Sequence, residues 1–192
     1  FKEVSEMDTD LTFLYEARVD FSREQVRALA DAGVKTVQLG IESFSSNLLA
    51  KMNKGVGALK NVQALKWCTE MGVRVVYNIL WGFPDEEASD HFESINLMEK
   101  IIHLQPPQLP TPLQILRNND YHKNPEKYGI RSLVPFREYE ILFPGADAAK
   151  IAVCFDFERP GMELGYVSRL SRFIAKWEHR YLGPLRPRLC YK

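Results

Sequence analysis

Four polar side chains stand out by their types and their places in the chain: Glu16, Glu42, Lys54 and Asn78. Glu16, Glu42 and Asn78 fall near the ends of three strand-like segments, TFLYEARVD (12–20), TVQLGIESF (36–44) and VRVVYNILWGFP (73–84). Lys54 follows the second of these, in KMNKGVG. Carboxylates and amides accept hydrogen bonds from ammonium groups and sugar hydroxyls, and a lysine can hold a carboxylate or phosphate. A polar set at the C-terminal ends of successive parallel strands is how a barrel builds a ligand site at one mouth.

Strand alternation gives these side chains a direction. Val37, Leu39 and Ile41 share one face of the second segment, so Gln38, Gly40 and Glu42 are expected to face the barrel interior. In the third, Val75, Tyr77 and Ile79 oppose Arg74, Val76, Asn78 and Leu80. In the first, Glu16 and Arg18 oppose Leu11, Phe13, Tyr15 and Ala17. Burying polar groups without partners is costly, which favours a ligand role for Glu42 and Asn78. Glu16 and Arg18 could instead pair with neighbours, and Lys54 reads equally as a solvated loop cation.

The elements that carry these residues are legible in outline. Ser22 and Gln25 form a capping box for a helix with Val26, Leu29 and Ala30 on its apolar stripe, stopped at Gly33. A second helix over 59–71 sets Leu59, Val62, Leu65 and Cys68 on one side, before Gly72. A third begins with Asp85, Glu86, Glu87 and Asp90 and ends near Lys100 and His103, matching the helix dipole, with Phe92, Ile95, Met98 and Ile102 toward the core. PLQIL (112–116) reads as a fourth strand. Strands alternating with helices predict a parallel α/β sheet, wound as a barrel or open. After Arg117 the pattern becomes loop-rich, followed by a strand in KIAVCFDFE (150–158) and a helix from about Met162 to Tyr181. That helix has Leu164, Val167, Leu170, Ile174, Trp177 and Tyr181 on one side. Residues 1–120 therefore read as a barrel part and 121–192 as a C-terminal extension.

Composition narrows the function classes. The 192 residues carry 25 acidic and 25 basic side chains, so no global charge draws the chain to nucleic acid or an anionic membrane. No run reaches the ~20 apolar residues of a membrane span, and the polar start is unlike a signal peptide. Cys68, Cys154 and Cys190 are scattered, which points to a reducing, cytoplasmic setting and to no local metal motif. The four histidines lack ligand spacing and read as surface or capping residues, and the basic C-terminal helix face reads as solvated. Both ends read as cut from a longer protein.

The ordered set YEAR, LGIESF, MNKG and NILWGFP resembles the C-terminal two-thirds of the partial (β/α)6, TIM-like barrel of radical S-adenosylmethionine (SAM) enzymes. The longer run LKNVQALKWCTEMGVRVVYNILWGFPDEE, with HLQPP and NPEKYGI, is similar to cobalamin-binding radical SAM proteins that C-methylate ribosomally made peptides (RiPPs). The resemblance covers residues 1–158.

It implies that Glu16 contacts the SAM amino group or ribose, that Glu42 holds SAM, that Lys54 meets its carboxylate and that Asn78 meets the ribose hydroxyls. The GFP turn would border the adenine, with Trp81 and Phe83 as apolar walls or core. The implied cofactors are SAM, a 4Fe–4S cluster on a CxxxCxxC loop preceding this segment, and cobalamin on a preceding domain. The implied partners are a precursor peptide and an external electron donor, with neither nucleic acid nor membrane. The resemblance marks no catalytic residue or metal ligand here, and the isolated fragment would be inactive. Another radical SAM reaction, or a non-catalytic peptide-binding or partner-binding fragment, are the alternatives. The family's usual R-F-S-P-Y reads RNNDY (117–121), keeping Arg117 and Tyr121.

Overall fold

A computed structural model describes residues 13–159 and 165–190. The chain forms two compact units. Among the described residues, the first takes in the chain up to Ile79, Glu87–Pro110 and the segment from Gly165 onward; the second takes in Leu80–Glu86 and residues 111–159.

The first unit is built on three parallel strands in the order β1-β2-β3. β1 is Phe13–Ala17; Leu11 of the predicted strand lies outside the described residues. Among the described residues β1 pairs with β2 alone, and Leu14, Tyr15 and Glu16 are exposed. α1 (Arg23–Asp31) begins at the predicted capping box, with the Gln25 N–H donating to Ser22 Oγ (3.3 Å) and the Ser22 N–H to Gln25 Oε1 (2.7 Å). Gly33 (φ +82°) then turns the chain into β2 (Val34–Leu39). Val37 and Leu39 share a buried face, as alternation requires, and Val34 on the opposite face is buried as well.

A short helix absent from the sequence reading follows: α2, Ser46–Lys51, capped by Ser45 Oγ accepting the Leu48 N–H (3.2 Å). α3 is Ala58–Glu70. Its buried side is Ala58, Asn61, Ala64, Leu65 and Cys68; Leu59, expected to be buried, is exposed. Burial raises the Cys68 thiol to about 12, so this sulfur is packing material.

The predicted strand 73–80 breaks into β3 (Arg74–Val76) and β4 (Ile79–Trp81). In α4 (Ala88–Met98), Ile95 and Met98 are buried as expected, but Phe92 is exposed. His91, read as a surface residue, is buried and stacked on Tyr166 (centroids 4.1 Å apart).

The second unit departs furthest from expectation. The strand expected at PLQIL (112–116) is divided between two short strands. β5 (Pro110–Pro112) pairs with β4, and β6 (Ile115–Leu116) joins an antiparallel sheet of order β6-β8-β7. The remaining elements are α5 (Asp120–Lys123), β7 (Leu133–Pro135), α6 (Glu138–Leu142), α7 (Ala148–Ile151) and β8 (Cys154–Phe157), the last inside the predicted 150–158 strand.

RNNDY is used structurally in this unit. Arg117 donates to the carbonyls of Ala152 and Ala149 (2.5 Å each) and lies over the Phe155 ring. Asn118 turns the chain at φ +70°, Asn119 caps α5, and Tyr121 packs between Phe83 and Tyr128.

α8 (Gly165–Leu182) returns to the first unit. It buries Tyr166, Leu170, Ile174 and Trp177, each contributing roughly 2 kcal/mol of apolar burial. The Trp177 Nε1–H is shared between the carbonyls of Ile102 (3.1 Å) and Leu104 (3.2 Å). Leu164 of the predicted stripe lies outside the described residues, and residues 186–190 have no strand structure. Among the described residues no helix is long and apolar enough to cross a membrane.

The GFP turn of the second unit shows how tightly one glycine is specified. Gly82 has φ +87°, and a Cβ there would lie 2.7 Å from Arg159 Nε. Arg159 cannot swing away without losing its bonds to the carbonyls of Gly82 (3.1 Å) and Leu113 (2.8 Å). Glu86 also accepts from the Gly82 and Phe83 N–H groups (2.7 and 3.0 Å). Gly82→Ala is therefore expected to destabilise this unit by about 1–3 kcal/mol in urea unfolding; an unchanged midpoint would contradict the account.

Candidate functional site

Where β1 and β2 end, the first unit opens into a cavity of about 330 Å3. Its lining includes Glu16, Arg18, Gly40, Glu42, Asn53 and Lys54. Three of the four sequence-predicted site residues thus meet in one place. Asn78 does not line this cavity; it is half-buried in the break between β3 and β4, one residue before Ile79, which bridges to Glu42. Arg18 lies on the cavity wall paired with Asp20 (3.2 Å), the neighbour-pairing role allowed for it above. Among the described residues Glu16 has no ion-pair partner.

At the centre, Lys54 Nζ lies 2.5 Å from Glu42 Oε2, each side chain about a quarter exposed (27%). Both positions are set by special backbone. The last turn of α2 ends in a Schellman arrangement: the Asn53 N–H bonds to the Ala50 carbonyl (2.9 Å) and the Lys54 N–H to the Leu49 carbonyl (3.1 Å), with Asn53 at φ +54°. Glu42 itself sits at φ +58°. The Ser43 N–H bonds back to the Ile41 carbonyl (2.6 Å), an i→i+2 closure across Glu42 in the manner of a γ-turn. A left-handed glutamate costs roughly 1–2 kcal/mol. Gly40 leaves the space the pair occupies, since a Cβ there would meet Lys54 Nζ at 3.3 Å and Glu42 Oε1 at 3.4 Å.

Beneath Glu42 a buried polar layer grips the chain. Asn61 of α3 donates to the carbonyls of Ile41 (2.9 Å) and Ser43 (2.8 Å). From α4, Ser94 Oγ accepts the Phe44 N–H (3.2 Å) and meets Ser43 Oγ (3.1 Å). Ser45 Oγ reaches Asp90 (3.3 Å) and Glu93 (2.7 Å), and Asp90 also takes Asn47 (2.7 Å), Lys51 (3.1 Å) and the Glu87 N–H (3.1 Å). Burial pushes the Asp90 carboxyl up, but the bonds from Asn47, Glu87 and Lys51 outweigh it and hold its pKa below the ordinary value.

Sequence reasoning passed over this layer. Asp90 was read as a dipole-matching residue and Asn61 was hidden in an apolar stripe; the signal available was the polar residue at the i+3 place between Ala58 and Leu65.

The arrangement presents two carboxylates and a cation around one small space. That set can hold a zwitterion, an ammonium on the carboxylates and a carboxylate on the lysine. Residues 6–98 match the family model described as the radical SAM superfamily. The structure is similar to that of the radical S-adenosylmethionine methyltransferase TsrM of Kitasatospora setae with cobalamin and a 4Fe–4S cluster bound (TM-score 0.64, 18% identity, 93% of this chain and 41% of that one). The described residues have the fold of a radical SAM domain.

The same TsrM with tryptophan substrate and the SAM analogue aza-SAM bound gives a TM-score of 0.59 at 16% identity, over 95% of this chain and 39% of that one. An uncharacterized methyltransferase of Pyrococcus horikoshii is 29% identical over 93 residues, 48% of this chain. The aligned part spans a fifth (20%) of that relative. In the radical SAM fold seen here the cavity lies where β1 and β2 end, the side on which the sequence placed a polar mouth. Among the described residues no group of three or more His, Cys, Asp or Glu side chains could hold a metal ion.

Asp90 makes the polar layer pH-dependent. Its pKa is depressed in the folded state, so its contribution is complete above the ordinary carboxylate range, about 4, and is lost as pH falls through the lowered value. Urea midpoints followed over falling pH should show wild type and Asp90→Asn far apart near neutrality and converging in acid. A gap independent of pH would contradict the assignment.

Proposed function

We propose that this domain orients SAM for a radical SAM methyltransferase, with Glu16, Glu42 and Lys54 holding the amino-acid end of the cofactor. The observation that carries the reading is the Glu42–Lys54 pair, with Glu16 on the same cavity wall. SAM ends in an α-amino and an α-carboxylate group, and this wall offers each an opposite charge. Glu42 and Glu16 would take the ammonium, and Lys54 would take the carboxylate in exchange for Glu42. Asn78, next to the residue that bridges to Glu42, is proposed to meet the ribose hydroxyls.

When bound, SAM supplies the methyl group and, on reductive cleavage, the radical that removes hydrogen from a substrate carbon. The residues here bind it, orient it and limit water around its charged end. The described residues offer no ligand set for the cluster, so cluster and cobalamin are proposed to be held elsewhere in the protein. Support for methyl transfer comes from the likeness to TsrM and from the methyltransferase name of the relative. From the resemblance of LKNVQALKWCTEMGVRVVYNILWGFPDEE, HLQPP and NPEKYGI we further propose a ribosomally made peptide as acceptor and an external electron donor, and from the scattered cysteines a cytoplasmic setting.

Two measurements test this. Calorimetric titration of the whole protein with SAM should show Glu42→Ala and Lys54→Ala each weakening affinity about tenfold, or about 1.4 kcal/mol; unchanged affinity in both would remove the site. Incubation of the cluster-loaded protein with SAM, cobalamin, a reductant and precursor peptide should give 5′-deoxyadenosine and methylated peptide. 5′-Deoxyadenosine without methylation would indicate another radical SAM reaction, and neither product would indicate a binding module.

A further inference from the structure

We propose that Asn61 is the positioning residue for Glu42: it selects the left-handed turn that brings the Glu42 carboxylate to Lys54. The claim that this matters for SAM rests on the cofactor reading above; the claim about the turn does not.

The argument is one of reach. A single nitrogen, Asn61 Nδ2, donates to the carbonyls of Ile41 at 2.9 Å and Ser43 at 2.8 Å, the residues on either side of Glu42. Two oxygens held by one nitrogen at those distances lie less than about 6 Å apart, whereas equivalent atoms two residues apart in an extended strand lie about 6.6 Å apart. The double grip is therefore available to the kinked chain and unavailable to an extended one. It is paid for by burial, since Asn61 is fully inaccessible (0% exposed).

The residue type follows from the same geometry. Two donors on one nitrogen at the end of a short side chain is the asparagine amide; serine and threonine have one donor, aspartate has none, and glutamine is a methylene longer. Asn61 comes from α3, the helix that follows the Lys54 loop, so one element fixes Glu42 from below while the turn preceding it carries Lys54. An extended Glu42 would leave Lys54 without this partner and would carry the carboxylate away from Gly40.

The test has a ligand-free arm and a binding arm. A crystal structure of Asn61→Leu, or of Asn61→Ser where the leucine variant does not fold, should show Glu42 at negative φ and the Glu42–Lys54 pair broken. Glu42 still at positive φ and within 4 Å of Lys54 would overturn the proposal. In the binding arm, SAM titrations of the whole protein form a double-mutant cycle. Asn61→Leu should weaken SAM at least fivefold, and should change affinity less than twofold when Glu42 is already alanine. Equal losses in both backgrounds would overturn a role through Glu42. If Glu42→Ala alone leaves SAM affinity unchanged, the cofactor reading fails, and the crystal structure still decides the positioning claim.

Discussion

The architecture of the site depends on one grip: buried polar side chains from α3 and α4 holding the backbone of residues 41–45 in a turn that a glutamate does not adopt by itself. Strand β2 is an ordinary buried strand up to Leu39. Beyond it, the chain must leave the sheet, aim one carboxylate into a cavity and begin α2 within a few residues. Asn61, Ser94 and Asp90 make that possible by satisfying the carbonyls, amides and hydroxyls that the turn would otherwise bury without partners. The left-handed strain at Glu42 is small beside the cost of leaving such groups unpaired. Strain held in place by its surroundings is a common mark of residues kept for a ligand.

Much of the fold was readable because it is local. The Ser22–Gln25 capping box and the buried alternation of β2 depend on residues a few positions apart, and both appear as read. What failed depended on tertiary context. α2 is six residues inside a serine-rich segment, too short for a periodic signal. In α3 the hydrophobicity of Leu59 drew the stripe one position away from Asn61, which is buried because two backbone carbonyls need it. His91 looked like a surface residue because a histidine stacked on a tyrosine from a distant helix leaves no mark in either local pattern. The expected strand 112–116 is split between β5, which pairs with β4, and β6, which pairs with β8, a division that depends on distant partners.

The site was legible to the same extent and for the same reason. Val37, Leu39 and Ile41 are buried, and Glu42, beyond the end of β2, is half-buried at a cavity that also gathers Glu16 and Lys54. Alternation alone could not foresee that the chain kinks at Glu42, or that Asn78 falls in a strand break away from the cavity lining. The RNNDY departure also resolves in physical terms within the second unit, where its side chains cap, turn and pack.

A radical SAM fold whose cavity carries two carboxylates and a lysine is a chemically economical way to hold an amino-acid zwitterion, and the whole account of function turns on that match. The most direct measurement is a crystal structure of the whole protein with SAM bound. The account predicts the α-amino group within about 3 Å of Glu42 or Glu16 and the carboxylate at the same distance from Lys54. SAM bound elsewhere, with the Glu42–Lys54 pair intact and the cavity untouched, would contradict it.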